Sequence, residues 1–114
     1  FVAGAKPYSV TVDPEQKFLY VTNWAGHDVS AFALHRDNGA LAEVAGSPFK
    51  AGWYPCAVVV DPQDHYVYVA NNGAASISGY RIAGDSGALK PLERSPFTAG
   101  PGPYSLAVVI DSGG

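Results

Sequence analysis

The pattern Phe-x-Ala-Gly occurs at 1–4, 49–52 and 97–100, at a constant step of 48 residues. A period of this length marks a radial or stacked repeat, in which one supersecondary unit buries its faces against copies of itself. Laying 7–54 over 55–102 without a gap extends the match. Identities include Pro7/Pro55, Asp13/Asp61, Pro14/Pro62, Tyr20/Tyr68, Val21/Val69, Asn23/Asn71, Ser30/Ser78, Gly39/Gly87, Leu41/Leu89, Ser47/Ser95 and Pro48/Pro96. About 18 of 48 positions agree, far beyond what unrelated segments share.

Each unit reads as four short strands. The first, at 9–12 and 57–60, is a small, β-branched, nearly all-apolar run between prolines, the pattern of a strand buried on both faces. Asp-Pro ends it, because Pro cannot donate to a ladder and Asp-Pro favours a turn. The second, at 18–22 and 66–70, is aromatic and β-branched and ends at Asn23 or Asn71. The third, at 29–34 and 77–82, alternates with period two. Asp37-Asn38-Gly39 and Asp85-Ser86-Gly87 are turn signals. A weaker fourth strand, at 41–44 and 89–92, leads into Ser-Pro-Phe and the Ala-Gly connector. No window has helical periodicity, and 9 Pro and 13 Gly interrupt the chain throughout.

Four antiparallel strands per unit at this repeat length describe a β-propeller blade. The expected fold is therefore all-β: two four-stranded antiparallel blades plus the first strand of a third. Residues 1–6 read as the tail of a preceding repeat, 7–54 as one blade, 55–102 as the next, and 103–114 as the inner strand of a third. Small residues in the first strand suit a crowded central channel. Phe18, Tyr20, Phe32 and Phe49, with their counterparts one repeat on, are expected to pack between blades.

Pro-Tyr-Ser-Val-x-Val-Asp-Pro, Phe-Leu-Tyr-Val-Thr-Asn, a Val-Ser-Ala-Phe strand and Gly-Ala-Leu with Gly-Ser-Pro-Phe resemble the blade of the lactonase-like propellers. That family includes the cycloisomerase-type 6-phosphogluconolactonases and is similar to the Tyr-Val-x-Asn repeat proteins of prokaryotic surfaces. The resemblance covers essentially the whole chain and implies a seven-bladed ring. If the parent is an enzyme, it implies a lactone hydrolase. The shared residues are those that build every blade, and no position here matches the family's proposed catalytic His, Glu and Arg.

Two blades leave two large faces open, and a full ring of this kind takes roughly 300 residues or more, against 114 here. The expected partners are thus the remaining blades of a longer chain or copies of this one. Three inner strands with two sets of outer ones favour a piece of a larger propeller over a closed ring of copies. Residues 109–114 leave the pattern, since Val109-Ile110 stands where Asp-Pro is due. A net charge of −3 and only 7 Lys and Arg, unclustered, argue against nucleic acid. No apolar run is long enough for a membrane-spanning helix. A single cysteine, Cys56, excludes an internal disulfide and reads as a small buried residue.

In a propeller, the loops between second and third strands share a rim with the connectors between blades. That collects Asn23, Trp24, His27, Asp28, Trp53, Tyr54, Asn71 and Asn72. Trp24, His27, Trp53 and Tyr54 depart from the repeat, facing Asn72, Ala75, Pro101 and Gly102 in the alignment, so they are freer to serve a site. The aromatics suit stacking on a sugar or other flat ligand, and His27 beside Asp28 is the one candidate for a general base. Asn23 and Asn71 recur and read as loop-closing side chains. His35 and His65 fall near the opposite rim. No cluster has metal-ligand spacing, and no cofactor motif is present. The reading is a repeat scaffold or binding module, with part of a sugar-lactone hydrolase that needs its full ring as the alternative. The compartment is left open.

Overall fold

A computed structural model describes residues 6–35, 37–83 and 86–98. The third inner strand expected at 103–108 and the departing segment 109–114 lie outside them. The described chain forms two antiparallel sheets that repeat one another. The first orders β1 (Pro7–Val12), β2 (Phe18–Asn23), β3 (Asp28–His35) and β4 (Ala40–Glu43), with β5 (Phe49–Lys50) also pairing β3. The second orders β6 (Pro55–Val60), β7 (Tyr66–Asn71) and β8 (Ser76–Ile82), with β9 (Leu89–Pro91) and β10 (Phe97–Thr98) both on β8.

The Asp-Pro turns form for a definable reason. Once Pro has ended the inner strand, the aspartate folds back over its own hairpin. Asp13 Oδ1 accepts Lys17 N (2.6 Å) and Phe18 N (2.7 Å), and Asp61 Oδ1 accepts His65 N and Tyr66 N (both 2.6 Å). These bonds satisfy backbone donors that the turn strands away from the ladder. Both carboxylates are buried.

The fourth strand forms where expected, as β4 and β9; after a break, a further two-residue piece, β5 or β10, pairs the same neighbour. The break falls at Ser-Pro-Phe. Ser47 Oγ accepts Ala31 N (2.8 Å) and Ser95 Oγ accepts Gly79 N (2.9 Å), so a hydroxyl stands in where the outer strand leaves β3 or β8. Both Ser-Pro bonds are cis.

The core is the seam between the sheets. Phe18, Tyr20, Val29, Ala31 and Val44 come from the first, and Val60, Val67, Val69, Tyr80, Ile82 and Leu89 from the second. Alternation along each strand assigns the faces: β2 turns Phe18 and Tyr20 to the seam, whereas β7 turns Val67 and Val69 to it. Each sheet also sends a tyrosine hydroxyl across. Tyr20 Oη donates to the Gly87 carbonyl (3.0 Å), and Tyr80 Oη donates to the Lys50 carbonyl. Burial pushes the Tyr20 phenol well above its ordinary range and Tyr80 up to about 12, so both remain donors at neutral pH. Gly87, at φ 76°, lies under Phe18; a Cβ there would sit 2.4 Å from the ring.

Two packing expectations are corrected. Phe32 is buried but lies outside the seam cluster, while its repeat counterpart Tyr80 is inside it. β3 and β8 present that position toward the preceding sheet, so only the second copy meets a partner. By the same logic Tyr66 and Tyr68 are half-buried on the far face of the second sheet. The inner strand is also not buried on both faces: Tyr8, Val10 and Val12 of β1 are exposed, whereas β6 packs against β1 and β2. Burial of this strand depends on a neighbouring sheet, which β6 has and β1 lacks among the described residues.

Candidate functional site

The β2–β3 and β7–β8 loops and the connector 51–54 meet on one rim. The first loop closes as a tight turn, with His27 N donating to Asn23 O (3.0 Å) and His27 left-handed at φ 56°. Ala75 occupies the same place in the second loop at φ 50°, so this geometry belongs to the turn rather than to histidine chemistry. The connector is stitched to both loops. Tyr54 N donates to His27 Nδ1 (3.0 Å), Asn72 N to Tyr54 O (2.9 Å) and Gly73 N to Trp53 O (3.0 Å). Gly73 is required by close approach, since a Cβ there would lie 2.4 Å from Tyr54 Cδ2.

This bracing brings the four repeat-breaking residues together. Trp24 and Tyr54 rings lie 4.9 Å apart, His27 and Tyr54 4.8 Å edge-on, and His27 and Trp53 6.0 Å stacked. Tyr8 joins the other end, stacked on Trp24 at 5.3 Å. The result is a ledge running Tyr8, Trp24, Tyr54, His27, Trp53. Trp53 is 65 % exposed and Tyr8 57 %, so large aromatic faces look outward. Tyr8 is absent from the residues singled out by sequence. Departure from the repeat could not have found it, because Tyr104 recurs at the same place two periods on and Cys56 is the copy that departs.

His27 and Asp28 do not form a base–carboxylate pair. A backbone N–H can only donate, so His27 Nδ1 is the acceptor and the proton of the neutral ring sits on Nε2. The outward nitrogen is then a donor, the wrong state for a general base. Asp28 Oδ1 is engaged by Asn23 Nδ2 (2.6 Å). Shallow clefts of about 400 Å³ flank Trp53, one bordered by His27, Asp28 and Lys50, the other by Lys50, Ser78 and Tyr80.

The recurring asparagines are fully buried. Asn71 Oδ1 accepts Gly52 N (3.0 Å), and its Nδ2 donates to Ser76 Oγ (3.2 Å) and Ser78 Oγ (2.8 Å). The Asn of Tyr-Val-x-Asn thus holds the Gly of Phe-x-Ala-Gly. Asn23 Nδ2 reaches Ser30 Oγ (2.9 Å) as well as Asp28. Cys56 is buried in β6, and burial pushes its thiol up. His35 and His65 are exposed near the other rim. Among the described residues, no group of three or more His, Cys, Asp or Glu could hold a metal ion.

The fold has clear relatives. A Bacteroides fragilis protein provisionally called a 6-phosphogluconolactonase superposes with a TM-score of 0.82 at 22 % identity, covering 91 % of this chain and 28 % of that one. A Lactobacillus plantarum protein gives 0.78 at 23 %, covering 92 % and 30 %. The periplasmic gluconolactonase of Pseudomonas aeruginosa gives 0.72 at 21 %, covering 90 % and 29 %. The chain thus spans less than a third of the length of these structures. No curated protein matches it significantly in sequence. The family profile described as "Lactonase, 7-bladed beta-propeller" matches residues 2–108, and the chain belongs to that family.

Proposed function

We propose that this chain is a two-blade segment of a lactonase-like propeller that serves as a scaffold and binding module, with the aromatic ledge as the binding surface. Residues 7–54 and 55–102 are taken as the two blades, 1–6 and 103–114 as parts of their neighbours. The remaining blades of a longer chain, or copies of this one, cover the open faces. The observation that carries the reading is the ledge itself: five rings in contact, partly exposed and braced from both sheets. Such a surface suits the flat apolar face of a sugar or similar small molecule, with Asp28 and Lys50 at hand for its hydroxyls. Hydrolysis of a lactone needs a base or activated water and a donor for the developing oxyanion. The tautomer of His27 disfavours it in the first role.

The second reading, part of a sugar-lactone hydrolase completed by the other blades, is favoured by the family and by the gluconolactonase name of the P. aeruginosa neighbour. Tryptophan fluorescence titration with D-gluconate and glucono-1,5-lactone, beside a lactone-hydrolysis assay, separates the two. Binding without turnover is expected, with Trp53→Ala weakening it about 3- to 10-fold, the worth of one stacking ring. Turnover that His27→Ala abolishes would sink the binding-only reading.

A further inference from the structure

At the rim opposite the ledge, the two Asp-Pro turns are not equivalent. Asp61 uses both oxygens, Oδ1 for His65 N and Tyr66 N and Oδ2 for Gln63 N (3.2 Å). Asp13 makes its two close bonds through Oδ1; it is 1 % exposed, and its buried Oδ2 has no well-formed hydrogen bond among the described residues, the Glu15 amide giving the carboxyl only a weaker approach. Three residues into each turn stands a left-handed residue, Gln16 at φ 59° and Asp64 at φ 63°. The second turn lies across the seam and carries the Asp64 carboxyl onto that of Asp13. Both Asp64 oxygens are likewise buried without a donor.

An ionised carboxylate only accepts. Two of them facing each other away from water repel, and every unbonded oxygen here is an acceptor. A single proton removes the conflict, with Asp64 donating to Asp13 Oδ2. We infer that Asp13 and Asp64 share one proton across the seam, making the contact between the two sheets pH-sensitive. The electrostatics run the same way. Burial, then the Asp13 carboxyl, pushes Asp64 up to about 7. Burial also works to raise Asp13, but bonds from Asp64 and from the Phe18, Lys17 and Glu15 amides outweigh it and hold Asp13 below its ordinary value.

Other groups facing the pair are Glu15 and Lys17 on the first turn, joined at 3.3 Å, and Asp61 and His65 on the second. The Tyr20 phenol approaches from β2. A cleft of about 170 Å³ between Lys17 and His65 opens over Asp64, giving the proton a way out. The sign follows from which state binds the proton. Asp64, raised on folding, stabilises fully below the ordinary carboxylate range, and this is lost as pH rises through about 7. Asp13, lowered on folding, stabilises above its unfolded value and loses that contribution as pH falls below it. The seam is tightest in mild acid and loosens across neutrality.

The test is the melting midpoint of the chain from about pH 5 to about pH 8 for wild type, Asp64→Asn and His65→Gln. Wild type should fall by several degrees over this range. Asp64→Asn keeps a donor toward Asp13 at every pH, so it should flatten the profile and melt above wild type at the alkaline end. His65→Gln should retain the fall. A fall that survives in Asp64→Asn, or vanishes in His65→Gln, would overturn the inference. So would calcium restoring the wild-type midpoint at the alkaline end, which would mark a cation in place of the proton. Carboxyl carbon NMR of wild type covers the case of a poorly folded variant. One aspartate should titrate near 7 and another below the ordinary carboxylate range, and no carboxyl titrating above about 6 would be fatal.

Discussion

Gly52→Ala tests how the connector is held to the seam. Gly52 is not left-handed, so alanine suits the backbone by itself, and substitution would gain about 0.4–1 kcal/mol from the unfolded chain if space allowed. Space does not allow it. The new methyl would lie 2.7 Å from Asn71 Cγ, 2.8 Å from Nδ2 and 2.9 Å from Cβ. Asn71 cannot swing away without losing its bonds to Gly52, Ser76 and Ser78. Overpacking of this kind costs about 1–3 kcal/mol, and each bond given up adds about 1 kcal/mol. We expect a net loss of about 2–4 kcal/mol, or roughly 8–16 °C in melting midpoint at about 4 °C per kcal/mol. Denaturant unfolding of Gly52→Ala, Asn71→Ala and the double variant closes the cycle. Asn71→Ala alone should cost about 2–3 kcal/mol. Adding Gly52→Ala to it should cost nothing or stabilise slightly, because the obstructing amide is gone. Additive losses, or a Gly52→Ala cost under about 0.5 kcal/mol, would refute the reasoning.

Tyr20→Phe and Tyr80→Phe each remove a hydroxyl that reaches across the seam, leaving the Gly87 or Lys50 carbonyl without that donor. Each should cost about 1–2 kcal/mol in denaturant unfolding; unchanged midpoints would mean that the cross-seam bonds carry no weight. The Cys56 thiol is 2 % exposed and raised by burial, so a disulfide reagent should label it only as fast as the native chain opens. Labelling at the rate of a free thiol would show β6 to be accessible.

The strands and their turns were legible because their causes are local. Asp-Pro, the Gly of each hairpin and the β-branched runs act within a few residues of themselves. The aromatic candidates were legible by subtraction, since residues that break a repeat are not needed to build it. What escaped depends on distance. Whether Phe32 meets a partner, or Val10 is covered, is decided by a neighbouring sheet rather than by the strand. The break in the outer strand was hidden because a serine hydroxyl does the work of a backbone carbonyl. The meeting of Asp13 with Asp64 joins turns from separate repeats, and the spacing of neither announces it. The orientation of His27 was settled by Tyr54, a residue of the connector.

The two tyrosine hydroxyls cross the seam in opposite directions. Each sheet is therefore donor at one point and acceptor at another, and neither half of the contact is complete within a single 48-residue unit. A graft that moves one repeat as a block carries a hydroxyl without its carbonyl, and a carbonyl without its hydroxyl. A block cut from the middle of one repeat to the middle of the next holds both ends of the Tyr80–Lys50 bond, which lie 30 residues apart, but the Tyr20–Gly87 bond spans 67 residues. No block of one repeat's length, however it is phased, carries both contacts, so the seam travels complete only with a segment longer than the unit that the sequence repeat draws.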